Sequence, residues 1–194
     1  MNPVLTLDHV SYSYHTPSGE TPALKDVSFS VRPGSFTSIA GPSGCGKSTL
    51  LSLIAGLIAP EKGCIHFYKS DAMPAAARIG YMLQHDTLLE WRTIYKNILL
   101  GLEVTHQCTE QKKRLAADMM HDYGLASFKN AHPSELSGGM RQRAALIRTL
   151  VLEPDILLLD EPFSALDYQT RLEVSDDIFR IIKEQEKTAL LVTH

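Results

Sequence analysis

The segment Gly41-Pro42-Ser43-Gly44-Cys45-Gly46-Lys47-Ser48 constrains this chain more than any other, because of what flanks it. Before it, Phe36 to Ala40 has the length and residue types of a strand. After it, Leu50, Leu51, Leu53, Ile54, Leu57 and Ile58 recur at helical spacing. A strand that passes through glycines directly into a helix can turn several backbone N–H groups toward one concavity, and the positive end of the helix dipole adds to it. Such a concavity holds a polyphosphate without a dedicated cluster of basic side chains. In this geometry Gly41, Pro42, Ser43, Gly44, Cys45 and Gly46 form the cradle, Lys47 neutralises the β and γ phosphates, the Ser48 hydroxyl is a ligand for Mg²⁺, and Thr49 adjoins the nucleotide. The spacing fits the general P-loop pattern at every fixed position.

A second chemical feature stands further along. Ile156-Leu157-Leu158-Leu159 is a short uninterrupted apolar run, suited to a strand covered on both faces, and it ends in Asp160-Glu161. The carboxyl end of a strand in an open α/β sheet is where the ligand crevice lies. Asp160 is therefore a candidate for the Mg²⁺ site, and Glu161 for polarising the water that attacks the γ phosphate.

The remaining pattern is of mixed type. Val4 to Val10 and Val27 to Val31 alternate apolar and polar residues, an antiparallel β portion with a turn region over Thr16 to Pro22. From Thr93 to Asp122 the spacing becomes helical, with Gly124 as the expected C-cap. Ala189 to Val192 is a second buried-strand run, and Thr170 to Lys187 reads as the crossover helix that a parallel pair requires. At 194 residues with 44% apolar content, one α/β domain spanning 1–194 is expected, with a helical lobe inserted at about 86–152.

Composition narrows the partners. A net charge of −3 gives no basic field for a nucleic-acid backbone, so no nucleic-acid partner is expected. The three cysteines, Cys45, Cys64 and Cys108, are far apart and in no metal-ligand spacing, as in a reducing compartment. No secretory signal is visible at the start, and the most apolar stretch, Leu50 to Ala59, is about half of what a spanning helix needs.

Leu136-Ser137-Gly138-Gly139-Met140-Arg141-Gln142-Arg143 narrows the family. Ser137 with two glycines ahead of a helical run makes a further helix N-terminus free of bulky side chains, hence a second anion site. The segment resembles the signature motif of ABC ATPases. The resemblance implies a P-loop NTPase core with a mainly parallel sheet, and a homodimer when ATP is bound, in which Ser137, Gly138 and Gly139 of one copy cover the γ phosphate held by the P-loop of the other. It also implies Gln84 as a contact for Mg²⁺ and the attacking water, Ser164-Ala165-Leu166-Asp167 as the loop across the dimer interface, and His194 as the histidine touching the γ phosphate. Tyr14, in preference to Tyr12, is assigned to adenine stacking.

The resemblance spans essentially the whole chain. Leu88-Leu89-Glu90-Trp91-Arg92-Thr93-Ile94 is similar to the Leu-Leu-Pro-Trp-x-Thr-Val of importers for nitrate, sulfonate, taurine and pyrimidine precursors, with Glu90 in place of Pro. An ATP- and Mg²⁺-dependent importer ATPase is thus implied. It would sit at the cytoplasmic face of the membrane against permease subunits, be served indirectly by a solute-binding protein, and couple to transport through the Gln84 to Trp91 region. A soluble ABC ATPase not coupled to transport is the alternative. Family members continue beyond the histidine that His194 matches, so a C-terminally truncated product is expected.

Overall fold

The computed structural model of the chain describes residues 2–17, 19–68, 76–163 and 168–193. In chain order its elements are β1 (Leu5–Thr16), β2 (Gly19–Val31), β3 (Phe36–Ala40), α1 (Lys47–Ile54), β4 (Lys62–Phe67), β5 (Ile79–Met82), α2 (Ile94–Val104) and α3 (Glu110–Asp122). They continue with α4 (Gly138–Leu150), β6 (Ile156–Asp160), α5 (Tyr168–Glu184) and β7 (Thr188–Thr193), with short 3-10 turns at Ala126–Phe128 and Pro133–Glu135. Two compact units result: one holds 1–79, 155–160 and 186–194, the other 80–154 and 161–185.

The first unit contains two β layers. In the antiparallel one the order is β2-β1-β4, and alternate β1 residues Leu5 and Leu7 are buried, as period-2 patterning requires. The ladder between β1 and β2 continues out to Thr16 paired with Gly19, so Gly19 to Pro22 is strand where a turn was expected. The other layer pairs β3 with β7 and β7 with β6, all parallel. Every residue of β6 is buried, which explains its uninterrupted apolar run. Each buried leucine side chain there contributes about 1.5–3 kcal/mol.

A local irregularity in the antiparallel layer has its own chemistry. The β1–β2 register shifts between Leu7 and Val10, where His9 has φ 49°, and Asp26 opposite has φ 54°. Side chains replace the interrupted ladder: the Ser28 hydroxyl accepts from His9 N, the Ser11 hydroxyl accepts from Asp26 N, and His9 Nδ1 lies 2.6 Å from Asp26 Oδ1.

The second unit is mainly helical. Ile94, Ile98 and Leu102 of α2 and Ala144 to Ile147 of α4 are fully buried. Thr93 caps α2 and Thr109 caps α3, each accepting from a backbone N–H in the first turn. The helical stretch expected from Thr93 to Asp122 is thus two helices, divided where Thr109 restarts the chain. Gly124, with φ 72°, follows the C-cap Tyr123 in the left-handed conformation that ends helices. In the first unit, α1 is shorter than its apolar spacing suggested: it stops at Ile54, Gly56 turns left-handed, and Leu57 is 67% exposed. Among the described residues no helix is long and apolar enough to cross a membrane.

Asn97 of α2 is fully buried and organises the loop before its helix. Its Oδ1 accepts from Leu89 N at 2.7 Å, and its Nδ2 reaches the carbonyls of Leu89, Arg92 and Thr93 at 3.1 Å each. Asn97→Ala strands the Leu89 backbone groups, so urea unfolding is expected to show a loss of about 2–4 kcal/mol. The His9–Asp26 hydrogen bond, reinforced by the charges of Asp26 and Asp8, raises the His9 pKa above 6.5. Its stabilisation is therefore complete below the unfolded-state value and lost as pH rises through the folded-state one. An NMR titration should place the His9 midpoint above the ordinary imidazole value, and Asp26→Asn should lower it.

Candidate functional site

The glycine loop begins where β3 ends, with Gly41 N donating to the Thr193 carbonyl at the end of β7. Gly46 is the N-cap of α1 and has φ 95°, a conformation that a side chain disfavours. A Cβ on Gly46 would also overlap the Ala23 carbonyl oxygen and crowd Leu24. No side chain caps α1 and no acid lies in its first turn, so its dipole end is left to face an anion. Lys47 is 7% exposed, and its ammonium donates to the carbonyls of Gly41 at 2.8 Å and Pro42 at 3.0 Å. The loop thereby keeps a buried cation bonded to its own backbone carbonyls.

Ser48 and Asp160, far apart in sequence, meet in the first unit. Ser48 Oγ donates to Asp160 Oδ1 at 3.0 Å, and Asp160 is buried at the end of β6. A hydroxyl and a carboxylate so placed are the hard oxygen donors that Mg²⁺ takes, the remaining ligands coming from phosphate and water. Among the described residues no group of three or more His, Cys, Asp or Glu is arranged to hold a metal. Tyr14 is 45% exposed; its hydroxyl lies 3.0 Å from Thr49 Oγ1, and its ring stands edge-on to Tyr12 at 5.2 Å. The ring is thus tied to the helix that carries the lysine.

In the second unit Gln84 Nε2 donates to Glu161 Oε2 at 3.3 Å. Glu161 has φ 44°, rare for a non-glycine residue and a form of local strain that collects at functional positions. Ser137 is the N-cap of α4: its hydroxyl accepts from Met140 N and its carbonyl from Arg141 N, with Gly138 and Gly139 opening the helix. His194 and the segment Ser164 to Asp167 lie outside the described residues.

The loop after Gln84 contains groups that residue patterns did not single out. Arg148, near the end of α4, donates to the carbonyls of Asp86 and Thr87 and to the Thr87 hydroxyl. Arg141 donates to the Asp86 carboxylate at 3.1 Å. Burial pushes the Arg148 pKa down, with Asp86 opposing it; a guanidinium nonetheless stays charged. Asn97 and His132 hold the far end of this loop, His132 Nδ1 lying 3.1 Å from the Glu90 carbonyl. A lone polar residue in a helical repeat carries no signal of such a role before its partners are seen.

Comparison with known proteins agrees with this chemistry. Residues 24–164 match the family profile described as ABC transporter. The chain is 49% identical over 190 residues to an uncharacterized ABC transporter ATP-binding protein of Bacillus subtilis, covering 98% of this chain and 73% of that one. It is 45% identical over 175 residues to an aliphatic sulfonates import ATP-binding protein of Rhodococcus jostii, covering 90% of this chain and 68% of the relative. Among solved structures it resembles an ATP-binding cassette seen as a dimer in a post-hydrolysis state with ADP and phosphate, at a TM-score of 0.80 and 30% identity, covering 98% of this chain and 88% of that one. With this kinship spanning most of its length, the chain belongs to the ABC transporter family as one of its ATP-hydrolysing, nucleotide-binding members.

Proposed function

We propose that the chain energises uptake of a small solute, binding ATP with Mg²⁺ and hydrolysing it as one of two copies docked on separate membrane permease subunits. The observation that carries this reading is the Ser48–Asp160 hydrogen bond beside Lys47, since it joins a phosphate loop to a strand-end carboxylate in one unit. The named sulfonate importer relative supports import of a small anionic solute, as do relatives named for taurine and nitrate import. A solute-binding protein would deliver the cargo, and the working place would be the cytoplasmic face of the membrane.

Each residue has a part in that reading. The Lys47 ammonium exchanges the Gly41 and Pro42 carbonyls for phosphate oxygens, a substitution of one set of acceptors by a more negative one. The backbone N–H groups from Gly41 to Gly46 and Thr49 surround the phosphates, while Tyr14 offers its exposed ring to adenine. Ser48 and Asp160 would hold Mg²⁺, with Gln84 contributing; the ion, when bound, neutralises charge on the β and γ phosphates. Glu161 takes a proton from the attacking water at its carboxylate, and Gln84, bonded to that carboxylate, orients it. His194 and the Ser137–Gly139 helix end of the second copy complete the enclosure of the γ phosphate. Enclosure by two copies follows from having one cradle and one anion-binding helix end per chain.

Lys47→Ala should weaken ATP binding by on the order of 10-fold or more in an equilibrium titration, because a charge-assisted contact to phosphate is lost. Glu161→Gln should leave ATP affinity within about twofold while turnover drops by about 10²–10⁴-fold, the loss expected for a general base. Unchanged turnover in the glutamine variant would remove Glu161 from the reaction. In analytical ultracentrifugation, the same variant with ATP should sediment as a two-copy species.

A further inference from the structure

The loop that follows Gln84 is held in a conformation its own residues disfavour. Thr87 has φ 48°, a left-handed backbone that is a genuine outlier for a β-branched side chain. Three hydrogen bonds from one guanidinium meet there. Arg148 Nη2 donates to the Asp86 carbonyl at 2.7 Å and to Thr87 Oγ1 at 2.9 Å, and Nη1 donates to the Thr87 carbonyl at 2.9 Å. The neighbouring Asp86 carboxylate is occupied on both oxygens, by Leu88 N and by Arg141 Nε, each at 3.1 Å. A strained backbone persists only where its surroundings over-determine it. Here the surroundings are two arginines of α4, the helix that Ser137 begins.

We infer that Arg148 is a positioning residue for hydrolysis: by holding Thr87 in the left-handed conformation, its guanidinium aims Gln84 at Glu161. This inference rests on the reading of Gln84 and Glu161 as parts of the hydrolytic site. The geometry gives it a mechanical form. Arg148 lies ten residues beyond Gly138, about 15 Å along a rigid helix from the Ser137 end. An event at that end and the orientation of Gln84 are therefore linked through one helix and one planar fork. Lysine cannot replace the fork, since an ammonium is a point donor and cannot span two carbonyls and a hydroxyl in fixed directions.

The experiment compares the wild-type chain with Arg148→Lys, Thr87→Gly and the double variant, following steady-state ATP hydrolysis, and thermal unfolding to normalise for folded protein. Arg148→Lys is expected to reduce kcat on the order of 10-fold, with KM within about twofold, because an orienting contact rather than a binding contact is lost. Glycine at 87 adopts the left-handed backbone without a Cβ, so Thr87→Gly in the Arg148→Lys background should restore most of kcat. A purely structural arginine would lower the melting temperature alone and leave kcat per folded molecule unchanged. That outcome, or a double variant no more active than Arg148→Lys, overturns the inference. Hydrogen exchange over residues 84–88 reads the same loop without relying on turnover: faster exchange there in Arg148→Lys is expected, and unchanged exchange overturns the inference. Absence of hydrolysis and of Lys47-dependent ATP binding in the wild-type chain would instead defeat the functional reading, leaving the exchange result to decide on Arg148.

Discussion

Parallel pairing imposes the geometry on which the first unit depends. With β3, β7 and β6 all running one way, Ala40 pairs with Thr193, and Asp160 with Val192, so the carboxyl ends of all three strands reach the same edge. The glycine loop leaves that edge from β3 and the acid leaves it from β6, which is why Ser48 and Asp160 meet although their separation in the chain is large. The buried apolar strands provide the rigidity, and the glycines permit the turn. Lys47 is buried with two carbonyls of the same turn accepting from its ammonium, which offsets part of the cost of burying the charge.

The second unit works differently. Its polar residues act by fastening irregular backbone to regular helices. Asn97 of α2 satisfies the backbone of Leu89, Arg92 and Thr93, and Arg141 and Arg148 of α4 satisfy that of Asp86 and Thr87. Between these fastenings the loop leaves Trp91 77% exposed. The strain at Thr87 and Glu161 belongs to the same economy of positions held by their surroundings.

Several structural elements were legible from residue types because their signals are local. The all-buried β6 follows from an unbroken run of leucines, and the Ser137 cap from a hydroxyl ahead of two glycines. Other expectations failed where local periodicity was overruled. Leu57 and Ile58 continued the spacing of α1, yet a left-handed Gly56 ended the helix before them. Gly19 to Pro22 carried turn residues but joined the ladder, because β1 supplies partners there.

By itself the sequence determined the chemical groups: a phosphate cradle, a lysine, a strand-end acid pair and a capped glycine-rich helix start are properties of neighbouring residues, whose spacing along the backbone already sets their geometry. Residue types and resemblance had already assigned Ser48 and Asp160 to one Mg²⁺ site and Gln84 and Glu161 to one attacking water; tertiary structure alone supplied the hydrogen bonds that join them, and the pairing of Arg148 with Asp86 and Thr87. The reason is physical: whether a particular hydrogen bond forms between remote side chains depends on strand register and helix rotation, which are fixed by packing over the whole unit and not by the residues that make the bond.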